Sequence, residues 1–309
     1  MSNIEKNKAS PTDGPYLRAI SLLKQSLEQR EVRINEATPR LFFLCGANIR
    51  ENELSVRRKK IKSFIENNIE GSVVVIAEHF FDNFMKNHRS KDGRKNSLDF
   101  EFVLTEISER VLIVLESNSS FCELGAFAHE TLREKLLVVN DSKHQAKQSF
   151  INTGPLEAIT EQFGDDNVLW YDMGPRVDEE DSVASIYLQL EKSIGKNRNT
   201  IGSSVEVNPA SSQTNIFNVL FVHDLIFFHQ RESYKDLVNF VKAIFGDKKS
   251  YDKLRHILAI LTSLGFIKYE PTNKIIQSLR RKTFLDYGSN QTRIMSGFKV
   301  ASLRKAMDQ

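Results

Sequence analysis

Val111-Leu-Ile-Val-Leu-Glu116 is a continuous apolar run, the pattern of a strand buried on both faces. It leads directly into Ser117-Asn-Ser-Ser-Phe-Cys-Glu-Leu-Gly-Ala-Phe-Ala-His129. The second stretch reads as a small polar loop and then a helix over about 121–133, with Glu123 in its first turn. Strand, loop and helix in that order put a carboxylate at the C-terminal edge of a parallel sheet. Open α/β sheets bind ligands in the crevice at that edge, where backbone N–H groups of a helix start also point.

The alternation extends both ways. Upstream, Leu17, Ile20, Leu23 and Leu27 predict an amphipathic helix within 15–36, and Arg40–Cys45 is an apolar strand ending in Gly46-Ala47-Asn48. A basic helix over roughly 53–68 buries Ile61, Phe64 and Ile65, and Val73–Ile76 is the second strand. Phe80, Phe81, Phe84 and Met85 fall on a short helix or turn, and 86–97 is a polar, basic loop. A helix over about 98–109 then leads back to the central strand. Downstream, Leu136–Val139 is a fourth strand, Trp170 and Tyr171 lie in a later one, and a helix covers about 180–194. Strand and helix in turn predict an α/β fold with a Rossmann-like, doubly wound parallel sheet.

Residues 195–213 are a linker by composition. Beyond them come helices over 215–229, 233–245 and 250–264, a strand at Phe266–Tyr269, a turn at Pro271-Thr-Asn-Lys274 and a second strand. Three helices and a hairpin describe a small winged helix-turn-helix domain. The expected division is a tail and helix at 1–38, a catalytic domain at 39–194, a linker at 195–213 and a winged-helix domain at 214–309. Residues 1–14 are polar, contain Pro11 and Gly14, and read as disordered.

The 309 residues leave room for two hydrophobic cores, and 40% of them are hydrophobic, as in ordinary globular proteins. No run approaches a membrane span, the N-terminus lacks the apolar core of a signal peptide, and two cysteines form no framework. The expectation is a cytoplasmic protein with no membrane partner. A net charge of +3 divides into +8 over 213–309 and −5 over 1–212. The basic tail implies either an anionic partner or a solvated lysine surface. Lys253, Arg255, His256, Arg280, Arg281 and Lys282 are the candidates for phosphate contact from the third helix and the wing. The Phe/Leu-rich face at 216–228 offers a protein dock instead.

At the sheet edge, Glu123 can attack the anomeric carbon of a nucleoside or stabilise an oxocarbenium-like transition state; the bland alternative is a carboxylate that only favours a helix start. Ser119 and Ser120 are placed to hold ribose hydroxyls or phosphate oxygens. Cys122 reads as a buried packing residue, and Glu78-His79 as a surface pair or the border of a pocket. No His/Cys spacing suggests a metal, and no glycine-rich phosphate loop follows a strand, which disfavours a dinucleotide dehydrogenase or an NTPase.

Ser-Ser-Phe-Cys-Glu123-Leu-Gly-Ala-Phe resembles the Glu-Leu-Gly signature of the nucleoside 2-deoxyribosyltransferase-like superfamily, in which that Glu is the nucleophile. Together with Ser149-Phe-Ile-Asn-Thr-Gly-Pro155 it resembles, more closely, the effector proteins of type II retrons. Those pair such a domain with a winged helix and act in phage defence beside a reverse transcriptase and its msDNA. The resemblance spans about residues 40–170 by motif and 213–290 by architecture. It implies Glu123 as the nucleophile. It also implies Glu101 as the group that contacts the base and assists proton transfer, where deoxyribosyltransferases keep an Asp. Asn152 would reach the sugar of a neighbouring subunit, which requires a homo-oligomer, and the pocket would begin at Gly46 and Ala47. The implied activity is an N-glycosidase toxin that cleaves NAD+ or another nucleotide without a cofactor, held silent by the reverse transcriptase and msDNA. The rival is a non-catalytic nucleotide sensor fused to a DNA-binding regulator, or a scaffold.

Overall fold

The computed structural model describes residues 14–78, 80, 97–195, 200–210, 214–230, 232–270 and 274–307. The expectations for 1–13, 81–96 and the turn at 271–273 lie outside them. The chain divides into two compact units, Pro39–Asn199 with Gln213–Ile216, and Met1–Thr38 with Thr200–Ser212 and Phe217–Gln309.

In the first unit, five strands form one sheet: β1 (Arg40–Cys45), β2 (Ser72–Val75), β3 (Arg110–Val114), β4 (Leu136–Asp141) and β5 (Val168–Tyr171). Their spatial order is β2-β1-β3-β4-β5, and every neighbouring pair is parallel. The order reverses between β1 and β3, and in doubly wound sheets of this order the crevice above that seam is the ligand site. The β3 residues are all buried, as a strand covered on both faces requires. Side chains alternate between the two faces. Phe42, Leu44, Leu112 and Val114 join Ile61 and Ile65 of a helix at Val56–Asn68 and Leu190 and Ile194 of another at Tyr187–Gly195. On the other face, Phe43 and Phe102 pack against Phe127. Phe102 belongs to the helix Ser97–Ile107 and Phe127 to the helix Asn118–Phe127.

Two helix starts differ from the sequence expectation because serines set them. Ser55 accepts a hydrogen bond from Arg58 N–H and starts α2 (Val56–Asn68), the helix that follows α1 (Pro15–Glu28) in the chain, after a short antiparallel pair, 48–50 with 53–54. Ser117 and Ser120 form a reciprocal capping box, which begins the helix at Asn118 rather than 121. Glu123 therefore lies in the second turn, not the first, and the reading of it as a helix-start charge loses its basis.

In the second unit, a helix at Ile216–His229 leads to a short strand at Glu232–Ser233, helices at Tyr234–Phe245 and Lys253–Ser263, and a hairpin, Ile267–Glu270 with Ile275–Ser278. The hairpin's second strand also pairs antiparallel with 232–233. The helix at 216–229 has buried residues on every side, including Val219–Leu225 without interruption, so its Phe/Leu-rich face is core and not an exposed dock. Its adjacent polar pair is also buried. Asp224 accepts from the N–H groups of Phe284 and Leu285 and from the Tyr287 hydroxyl, and His223 bridges Asp224 to Ser278. That network fixes the segment after the hairpin.

The stretch 200–212, linker-like by composition, falls within this unit. Ile34 N–H donates to Ser203 O, Gly202 N–H to Ile34 O and Val205 N–H to Val32 O. The N-terminal helix Pro15–Glu28 falls here too, and packs on a helix at Gln291–Met307 that no sequence pattern announced. Gly297 permits that approach: a Cβ there would stand 2.7 Å from both Ala19 Cβ and Pro15 O. Gly297→Ala is accordingly expected to destabilise the chain by about 1–3 kcal/mol, because backbone has to move. Gly125→Ala, a helical position with open space around it, should be neutral or gain up to about 1 kcal/mol. Thermal melts of the two variants beside wild type check the contrast.

Candidate active site

The exit of β1, Leu44–Asn48, forms one wall at the β1/β3 seam and is held from both sides. From α2, the Arg58 guanidinium donates to Leu44 O (2.8 Å), Gly46 O (3.3 Å), Ala47 O (3.3 Å) and Asn48 Oδ1 (2.8 Å). From the end of β3, Glu116 Oε1 accepts from Ala47 N–H (3.0 Å) and the Ser55 hydroxyl (2.6 Å). Gly46 passes between them at φ +154°, and a Cβ there would lie 2.9 Å from both Arg58 Cδ and Glu116 Oε1. Only glycine fits. Arg57 completes the frame: it donates to Glu116 Oε2 (3.1 Å), Asp181 Oδ2 (2.6 Å) and Gly174 O. Asp181 also accepts from the Tyr171 hydroxyl and from Val183 N–H, which draws the exit of β5 into the same network.

Three further carboxylates share this neighbourhood. Glu78, just after β2, pairs with Arg58 (3.0 Å) and accepts from Asn48 Nδ2 (3.1 Å). Burial alone would raise its carboxyl, but the hydrogen bonds and charge of Arg58 hold it below the ordinary range. Glu101, on the helix 97–107, is pushed up by burial and by the charge of Glu78. Glu123 is pushed up to about 7, first by burial, then by Glu101 and Glu78, with Arg58 acting in the opposite sense. Its Oε2 is buried with no hydrogen-bond partner among the described residues. Glu78 is thus shifted down while Glu101 and Glu123 are shifted up, so neighbouring carboxylates are driven apart, as they are where acid and nucleophile roles are divided. Among the described residues no group of three or more His, Cys, Asp or Glu is arranged to hold a metal ion.

The structure brings Glu123, Glu101, Gly46 and Ala47 to one seam. Ser120 is fully buried and its hydroxyl serves the loop: it accepts from the N–H groups of Glu116 and Ser117 and donates to Ser117 O. Ser119 is exposed, with its hydroxyl 2.9 Å from that of Ser117. Asn152 spends its amide nitrogen on its own chain, donating to the carbonyls of His144 (2.7 Å) and Lys147 (2.9 Å). Cys122 is exposed, contrary to the packing role expected, because the buried face of its helix runs through Ser120, Leu124 and Phe127. In the second unit, Arg255, Arg280, Arg281 and Lys282 are exposed and Lys253 half-buried. Arg255 stacks over Tyr234 and Arg280 over Phe266.

Sequence reasoning passed over Arg57, Arg58, Glu116 and Asp181. One signal was there. Two arginines in the first turn of a helix oppose its dipole, and such placement needs a nearby anion.

A model of the STM3845 retron effector protein family matches residues 53–269. Two Escherichia coli proteins are similar. The "Retron Ec73 putative ribosyltransferase/DNA-binding protein" is 34% identical over 297 residues, 93% of this chain and 92% of that protein. The "Retron Ec86 putative ribosyltransferase/DNA-binding protein" is 31% identical over 118 residues, 38% of this chain and 36% of that protein.

A carboxyl raised above its unfolded value costs nothing below the ordinary range near 4.5 and destabilises the fold as pH climbs through about 7. Glu123→Gln removes that cost. The variant is expected to gain roughly 1–3 kcal/mol on wild type between pH 5 and pH 8. Paired melts at the two pH values measure it; an unchanged difference would mean Glu123 titrates as an ordinary carboxyl.

Proposed function

The chain belongs to the retron effector family, and on that premise we propose that its parallel-sheet unit is an N-glycosidase, the toxin of an anti-phage defence system. The substrate is NAD+ or another nucleotide. The observation that carries this reading is Glu123, a carboxyl pushed up to about 7, with a buried oxygen unmatched among the described residues, beside two more carboxylates at the strand-order reversal. Such a group is poor at stabilising a fold and well suited to meeting a developing cation.

In the proposed reaction, an ionised Glu123 oxygen attacks C1′ as the C1′–N bond breaks, and the bonding pair leaves with the base. A pyridinium departs neutral and needs no proton; a purine takes one from Glu101. Water then attacks C1′, displaces the carboxylate and passes its proton to a neighbouring carboxylate. Ser119 is the exposed hydroxyl placed to meet ribose, with Gly46 and Ala47 lining the floor.

For the second unit, the order helix, strand, two helices and hairpin supports a winged helix, and its exposed basic residues support contact with msDNA. Reverse transcriptase and msDNA then hold the toxin silent until infection. The relatives' names, which join ribosyltransferase with DNA-binding, agree with both halves. Self-association through 149–155 belongs to the same reading: Asn152 braces that segment and the adjacent Phe150 is 81% exposed.

Metabolite profiling of cells that express the chain alone, wild type beside Glu123→Gln, tests the activity. Loss of NAD+ or of a nucleotide pool, with free base appearing in wild type alone, is expected; ligand binding without turnover by the purified chain would favour the regulator. The pH profile of kcat/KM should rise through about 7 as Glu123 ionises. With a pyridinium substrate, where Glu101 donates no proton and acts on Glu123 through its charge, Glu101→Gln should move that limb to lower pH. With a purine substrate the same variant should lose about 10²–10⁴-fold in rate, and with a pyridinium far less.

A further inference from the structure

Arg58, with Arg57, is unlike the lysines of its helix. Its side chain is 1% exposed, and one guanidinium reaches Leu44 O, Gly46 O, Ala47 O, Asn48 Oδ1 and both oxygens of Glu78. The two terminal nitrogens of its planar fork share these six acceptors through four N–H groups, while Nε–H has no partner among the described residues; a single ammonium nitrogen cannot span them. Facing Glu123 are Glu101 from the helix 97–107, Glu78 from the segment after β2 and Arg58 from α2, and the Cys45 thiol at the end of β1 sits among the same groups. Among the described residues, Arg58 supplies the positive charge acting on Glu123.

We propose that Arg58 is a positioning residue of this site: through its ion pair with Glu78 it sets the charge that Glu123 feels, while it fixes the β1 exit beneath the substrate. The inference rests on the reading of Glu123 as the nucleophile. Arg58 keeps Glu78 ionised, and the ionised pair then offers Glu123 an attraction and a repulsion of opposite sign. Burial and Glu101 raise the Glu123 carboxyl first, and the balance of attraction and repulsion then tunes it. Either partner alone would tip it.

This predicts opposite effects from removing the two partners of one ion pair, which a merely structural pair would not produce. The Glu123 carboxyl can be titrated directly by ¹³C NMR on the full chain labelled in glutamate, its signal assigned by its loss in Glu123→Gln. Arg58→Gln is expected to raise its midpoint by about one pH unit, and Glu78→Gln to lower it. Arg58→Lys, which keeps the charge and loses the fork, should leave the midpoint near that of wild type and raise KM more than it lowers kcat. Should Arg58→Gln not fold, Glu78→Gln and Arg58→Lys decide the matter by the same criteria. Shifts of the same sign, or none in folded variants, would overturn the proposal. Because the titration needs no substrate, an inert chain with opposite shifts would count against the glycosidase reading alone. An active chain without them would count against Arg58 alone.

Discussion

Glu116 is a carboxylate with a side chain 1% exposed, and the shape of the crevice follows from how its charge is met. An ion taken from water at that depth costs several kcal/mol unless it is paired and hydrogen-bonded. Here the Ala47 N–H, the Ser55 hydroxyl and Arg57 each supply a bond. Those three donors lie at the exit of β1, at the cap of α2 and in the first turn of α2, so satisfying one carboxylate fixes all three relative to β3. Arg57 carries the constraint to Asp181 and from there to Tyr171 at the end of β5. Loss of one partner from such a pair leaves a buried charge uncompensated, at a cost of roughly 3–5 kcal/mol.

Glu123 stands a short distance along the chain and is treated in the opposite way. Where Glu116 is met on every side, Glu123 has a buried oxygen unmatched among the described residues and like charges for neighbours. The contrast sets a fully bonded carboxylate beside an unmatched one at the same seam. A fully satisfied carboxylate holds geometry and has little left to offer a substrate. An unsatisfied one destabilises the empty protein and recovers that free energy when positive charge develops beside it.

Much of the first unit was legible because its strands are short, apolar and separated by amphipathic helices. The periodicity located all five strands to within a few residues. Boundaries failed where a side chain, not a pattern, sets the start of a helix. The Ser117–Ser120 capping box displaced the helix by three residues, and with it the turn of the helix in which Glu123 lies. The second unit was legible in its helices and hairpin and illegible in its long-range company. Residues 200–210 read as linker by composition, yet backbone bonds from 202–205 to 32–34 pin the stretch in place. The helix at Gln291–Met307 lacks a clear apolar stripe, and Gly297 marks its packing against Pro15–Glu28 only once both helices are in view.

By itself the sequence determined the class of fold, the position of Glu123 on the helix that follows the central strand, and the family that the Glu-Leu-Gly motif points to. All three are local: they depend on residue type and spacing within some twenty residues. Tertiary structure alone decided which carboxylates are paired with an arginine and which are not. Glu78, Glu101, Glu116 and Glu123 are the same functional group in the sequence. Only the folded chain brings Arg58 to one, Arg57 to another and leaves the remaining two to repel each other. Electrostatic free energy depends on distance and burial, and neither is written in the order of residues.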